Sequence, residues 1–248
     1  MSGDITAERA ARFAESIAQA LPEGEALADE TPDPTLEAGR RLVIVDKPER
    51  TQTQILIGGL GSHPRDPDHL ALAVANTAFG GTFTARLMQE VRVKRGWSYG
   101  AYSSLPFDRR RQAFSMWTFP KASDSVACIQ LELEMLEAFR KNGLKKSELS
   151  WAKRYLIRSH AFAIDTASKR VGMKLDSNLY GLPAGYYENY LEALKGITLD
   201  DANRAVANRL SDENLRIVVV GTESVLGNDV RAAIPRLESS SVVRYDED

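Results

Sequence analysis

The chain has 248 residues, 43% of them hydrophobic and 27% charged, with a formal net charge of −2. That is enough apolar material for one large domain or for one built from two similar halves, and the charge balance offers no positive field for nucleic acid. The single cysteine, Cys128, excludes an intrachain disulfide, and no apolar run approaches the roughly 18 residues that cross a bilayer.

The N-terminal MSGDITAERAARF has no apolar h-region, so it does not read as a signal peptide, and the compartment stays open between cytoplasm and periplasm. Residues 6–21 predict a helix, with Thr6 as cap, an apolar stripe of Ala10, Phe13, Ile17 and Leu21, and Pro22 as stop. Residues 23–40 are acidic and carry two prolines, which predicts an extended linker. Strand-like segments follow at 41–47 and 51–60, then a loop at 61–68 and a helix from His69 to about Phe79. After Gly80-Gly81 the spacing of Phe83, Leu87 and Val91 predicts a second helix, about 82–94, ended by Gly96. Paired strands are expected at about 97–105 and 111–119. A long helix then runs over about 123–141, another from 145 or 147 to about 178 with a break, and shorter ones over 184–194 and 198–209. The strand NLRIVVVGT (214–222) and a helix around 225–237 close the pattern. Strands in pairs followed by helices in runs argue for α+β with an antiparallel sheet.

The chain also resembles itself. VVVGTESVLGNDVRAAIPRL (218–237) echoes MSGDITAERAARFAESIAQAL, with Gly3 matching Gly221 and Asp4 matching Thr222. Any strand-turn-helix could give this likeness. The sharper reading makes residues 1–22 the end of a preceding, similar domain.

Few residues offer chemistry. A zinc site on a helix needs paired ligands at close helical spacing. His63 and His69 are separated by a loop with two prolines, and His160 has no second ligand at the right spacing. The Gly-rich GGLG (58–61) and FGGTFTAR (79–86) fit no phosphate-binding pattern and read as tight turns. No GxSxG occurs, and Cys128 falls on an apolar helix face. Arg92 and Tyr99 remain, seven residues apart across a glycine. One reading has them as a cation at a helix end and an aromatic on a strand. The other has them as two donors for a peptide carbonyl or a developing oxyanion.

The run GGTFTARLMQEVRVKRGWSYGAYSS resembles the signature of the pitrilysin-type, or inverzincin, metallopeptidase family. That family includes insulin-degrading enzyme, mitochondrial processing peptidase and many bacterial peptidases. Gly80, Gly81, Arg86, Leu87, Glu90, Val91, Arg92, Lys94, Arg95, Gly96 and Tyr99 carry the match. The resemblance implies homologous α+β domains joined by a linker. One half binds zinc through HxxEH; the other lacks zinc and contributes an arginine and a tyrosine, which fall here on Arg92 and Tyr99. HxxEH is absent from this sequence, so the likeness is to the C-terminal, non-zinc half or subunit. The expected organisation is a helix at 1–22, a linker at 23–40, a domain at 41–237 with subdomains of about 41–140 and 141–237, and a tail at 238–248. No cofactor is expected in this chain, with zinc in the partner half. The expected partners are an HxxEH-bearing domain or subunit, a peptide substrate bound extended at a sheet edge and, possible on the same fold, a second copy. The rival is a non-catalytic structural subunit.

Overall fold

The computed structural model describes residues 1–25 and 31–246, so residues 26–30 of the expected linker and the end of the expected tail lie outside it. Helix α1 (Ala7–Ala20) forms where the stripe predicts. The Thr6 hydroxyl accepts a hydrogen bond from the Arg9 amide at 3.3 Å. None of its residues is buried.

The body is a six-stranded sheet: β1 (Arg40–Asp46), β2 (Gln54–Leu60), β3 (Ala101–Ser104), β4 (Ala113–Thr118), β5 (Leu215–Gly221) and β6 (Leu237–Arg244), in the spatial order β3-β4-β2-β5-β1-β6. Strand alternation sends Leu42, Ile44, Ile55, Ile57, Ile217 and Val219 to one buried face. On that face pack α2 (His69–Phe79), α3 (Ser125–Asn142), α4 (Lys146–Ala163), α7 (Leu199–Arg209) and α8 (Glu223–Ala233). Two further helices, α5 (Ala167–Leu179) and α6 (Tyr190–Gly196), follow α4, with a break at 164–166 between α4 and α5.

The α+β class with a sheet packed against helices holds, and β3-β4-β2-β5 is antiparallel as expected. Two pairings depart from that pattern: β1 is parallel to both β5 and β6. The crossover β5-α8-β6 brings the chain back to the end of the sheet where β5 began, which forces parallel strands. β5 also lies between β1 and β2, so the stretches 41–140 and 141–237 share one sheet. Residues 238–244, expected as tail, are strand: β6 is an exposed edge whose side chains carry no inward pattern to read. The buried guanidinium of Arg40 ties this corner together, donating to the Asp212 carbonyl at 2.9 and 2.6 Å and to the Pro235 carbonyl at 2.9 Å.

The inner face of α3 runs Ser125, Cys128, Ile129, Glu132, Leu133, Leu136, Phe139, a regular helical stripe with one carboxylate in it. Glu132 is fully buried, and among the described residues neither of its oxygens has a hydrogen-bond partner. Burial pushes its pKa up to about 8, with the neighbouring Thr118 hydroxyl opposing the shift to a lesser extent. The folded state therefore keeps a proton that the unfolded chain, near the ordinary value of 4.5, has already released. Stability falls as pH rises between those two values, by at most ~1.4 kcal/mol per pH unit, and levels off above the higher one. Denaturant midpoints at pH 5, 6.5 and 8 should show this slope in the wild type and lose it in Glu132→Gln.

Arg86 joins the chain after α2 to the start of α4. Its Nε and Nη2 donate to the two Glu148 oxygens at 2.6 and 2.5 Å, and Nη2 also donates to the Gly143 carbonyl at 2.8 Å. Glu148 in turn accepts the Lys145 amide at 2.7 Å, closing the N-terminus of α4. Burial is the largest single effect on Glu148 and opposes its ionisation, yet the Arg86 hydrogen bonds, the Lys145 amide and the positive charges of both residues together outweigh it and hold the carboxyl below its ordinary range. Arg86→Ala should cost about 2 kcal/mol in denaturant unfolding, the value of charged hydrogen bonds in a half-buried setting. That difference should shrink as pH falls through the depressed Glu148 pKa, because the ion is then lost from both proteins.

Candidate functional site

The site begins with a close backbone crossing. The Gly80 carbonyl accepts the Ser103 amide at 2.9 Å, and a Cβ at Gly80 would lie 2.5 Å from the Ser103 nitrogen. The Asn76 side chain completes the crossing, with Oδ1 accepting from the Ser103 hydroxyl at 2.5 Å and Nδ2 donating to its carbonyl at 3.4 Å. Only glycine allows α2 to end this close to β3. The tight-turn reading of FGGTFTAR therefore describes what these glycines do.

Residues 82–85 form turns, not the expected start of a helix. The helical stretch begins at Arg86 and continues as a π-helical turn, Met88–Val93, in which the Lys94 amide reaches the Gln89 carbonyl. This is why the predicted stripe splits. Leu87 and Val91 are buried, while Phe83 is 56% exposed. Phe83 serves Arg92 instead: the guanidinium carbon sits over its ring, 4.6 Å from the centroid.

The charges around Arg92 are otherwise committed. Lys94 and Arg95 both pair with Glu90, at 2.5 and 2.7 Å, and Arg95 also stacks over Trp97 at 5.3 Å. Those hydrogen bonds lower the Glu90 pKa. Gly96, at φ +67°, then reverses the chain.

Tyr99 follows at the crest of a turn locked from below. The buried Ser98 hydroxyl donates to the Gly100 carbonyl at 2.7 Å and accepts the Phe119 amide at 3.1 Å. A Cβ at Gly100 would meet the Tyr102 ring at 2.6 Å, so the backbone beneath is fixed on both sides. Tyr99 itself is 76% exposed and lies in a bend before β3, not in the strand that was expected to hold it. Arg92 and Tyr99 thus sit on one short excursion between α2 and β3, and among the described residues no hydrogen bond or ring contact joins them to each other.

The histidines have other tasks. His63 donates Nε2–H to the Asp108 carbonyl at 2.8 Å and accepts the Arg65 amide at Nδ1, so both ring nitrogens are occupied. Its pKa is lowered, chiefly by burial. His69 is buried against the Ser62 hydroxyl at 2.7 Å, and desolvation lowers its pKa to about 4. His160 packs on Tyr190 at 4.9 Å. Among the described residues, no three of His, Cys, Asp and Glu converge as a metal site.

Sequence reasoning missed three partners: Glu148 for Arg86, Phe83 for Arg92 and Ser98 for the Tyr99 turn. The first joins residues 62 positions apart and leaves no local signal. The last two lie within ten residues of the groups they support.

Comparison with known proteins fits this picture. The family model described as the peptidase M16 inactive domain matches residues 1–156. A solved peptidase M16 inactive domain from Pseudomonas fluorescens superposes with a TM-score of 0.80 at 30% identity, over 88% of this chain and 52% of that one. An uncharacterized zinc protease of Mycobacterium bovis is 28% identical over 183 residues, 73% of this chain and 41% of the relative. A non-peptidase homolog of Helicobacter pylori is 24% identical over 144 residues, 58% of this chain and 33% of the relative. The chain therefore spans less than half the length of these curated relatives. The match over 1–156, together with the fold and the 80–99 excursion, establishes that the chain belongs to the peptidase M16 inactive-domain family, the non-catalytic half of a protease-like fold.

Proposed function

We propose that this chain is the substrate-binding, non-zinc half of a zinc-dependent endopeptidase. The zinc half carries HxxEH and is supplied by another part of a longer polypeptide or by a partner subunit. The observation that carries the reading is the treatment of Tyr99: a large aromatic held in solvent on a turn whose backbone is fixed by Ser98 and Gly100. An exposed phenol on a fixed backbone supports this reading, because it can donate to a group that approaches from solvent.

The chemistry follows from geometry and charge. In peptide hydrolysis the scissile carbonyl oxygen becomes an oxyanion, and a donor already in position stabilises that charge without reorganising. Tyr99 supplies the phenolic hydrogen. Arg92, confined by Phe83, presents fixed donors to the peptide backbone. β3 begins two residues after Tyr99 and is an edge of the sheet, so an extended peptide pairing there would pass beside both side chains. Attack on the carbonyl is left to the zinc half.

A second reading keeps the fold and drops the chemistry: a structural subunit. The Helicobacter pylori relative's description as a non-peptidase homolog favours it. The two readings part at Arg92 and Tyr99, which a purely structural subunit does not use.

Zinc analysis of the purified chain should find no stoichiometric metal, and the chain alone should cleave no peptide; one tightly held zinc per chain, or chelator-sensitive cleavage, would refute the assignment of zinc to the other half. With the zinc half present, Tyr99→Phe should lower kcat about 10²–10³-fold while thermal unfolding stays unchanged. Arg92→Ala should lower kcat/KM with part of the effect in KM, as expected for a group that also holds the ground state. Lys94→Ala, which removes one exposed partner of Glu90, should leave turnover alone and change stability by under about 1 kcal/mol. Wild-type kinetics in both Arg92→Ala and Tyr99→Phe would favour the structural subunit.

A further inference from the structure

The helix layer holds a cleft of about 680 Å³ between α3, the first turns of α4 and the residues around the π-helical turn. Its walls follow from helical spacing. One step round α3 from the core stripe lie Leu131, Met135 and Ala138, at i, i+4 and i+7. On α4, Ser147, Glu148 and Trp151 share a face in the same way. Phe79 closes the rear, stacked on Phe139 at 4.3 Å, and Trp151 is braced by Tyr155 at 5.6 Å. Leu131, Met135 and Trp151 pack against the core yet are only partly buried, so they leave apolar surface open to the cleft. A concave apolar site of this volume, with a few polar groups at its edge, is the usual form of a small-molecule site.

Charge selects the ligand. Arg86 is the one cation in the lining, and its Nε and Nη2 are taken by Glu148 and the Gly143 carbonyl. Glu148 is spent on that pair, and Glu90 is held by Lys94 and Arg95. Glu134 is left. It is exposed at the rim of the cleft, and among the described residues it makes no ion pair and no hydrogen bond. An apolar cleft whose uncommitted charge is a carboxylate is complementary to an apolar cation, and an indole in the wall adds to that preference.

We infer that this cleft binds a small amphipathic amine, with the ammonium at Glu134 and the apolar body on Phe79, Leu131, Met135 and Trp151. The bound amine touches Gln89 and Glu90, on the same excursion as Arg92 and Tyr99, but neither of those two lines the cleft. The inference therefore stands independently of the peptidase reading.

The test is calorimetric titration of the full chain with three probes of one shape: 4-phenylbutylamine, 4-phenylbutanol and 4-phenylbutyrate. The amine should bind with a Kd of about 1 mM or tighter, as expected for a ligand of this size. The alcohol and the carboxylate should bind about fivefold more weakly or worse, the discrimination one exposed ion pair supplies. Glu134→Gln should bring the amine down to the affinity of the alcohol. Ala138→Trp and Ser147→Trp, which fill the cleft from opposite walls at exposed positions, should each abolish binding while thermal unfolding stays that of the wild type. Equal or tighter binding of the alcohol or the carboxylate would overturn the ligand class. Amine binding that survives both filling variants would overturn the site, and no saturable binding of the amine up to about 10 mM would overturn the inference outright.

Discussion

The crossing of Gly80 over Ser103 is the constraint on which the rest of the site depends. It pins the C-terminus of α2 to β3 with almost no space between the backbones. Everything from Gly81 to Gly100 must then leave and return through one narrow gate. The excursion is stiffened by buried Leu87 and Val91 on its inner side, by the Arg86–Glu148 pair at its base and by Ser98 at its return. Tyr99 is exposed and Arg92 half-buried on a segment with little freedom left. Under the proposed function, such rigid presentation of donors is what transition-state stabilisation would require of them.

Charge on this excursion is distributed with economy. Four cations lie within ten residues, and three of them pair with carboxylates: Arg86 with Glu148, and Lys94 and Arg95 with the one carboxylate of Glu90. Arg92 rests on an aromatic ring instead of a carboxylate. A guanidinium held over a π face keeps its in-plane donors directed outward, which a bidentate carboxylate would have consumed. Sequence alone presents four similar cations; their partners tell them apart.

Much of the architecture was legible in the residues. α2 falls at His69–Phe79 as read, because a largely apolar run bounded by Asp68 and a glycine pair leaves little choice. α3 likewise ends at Gly143, whose φ of +61° needs glycine. Helix 82–94 was misjudged at its start because a spacing of four is shared by α-helices and by a turn running into a π-helical segment. β6 escaped notice because an edge strand with both faces in solvent has no alternation to detect. Arg92 and Tyr99 could be singled out by resemblance, but their local partners follow only from three-dimensional placement. The parallel pairing of β1 was invisible for a different reason: register between residues some 175 positions apart is set by topology and not by local pattern.

That distant pairing shapes how the molecule is made. β5 sits between β1 and β2, so a nascent chain lacks its central strand until residues 215–221 have been synthesised. Until then β1 and β2 present unpaired backbone and apolar side chains to the cell, and the helices from α2 to α7 have only fragments of a sheet to settle on. Contacts of such sequence separation close late and slowly, and intermediates that wait with open strand edges are prone to self-association. The order of the elements therefore makes residues 215–221 the keystone of this sheet's folding.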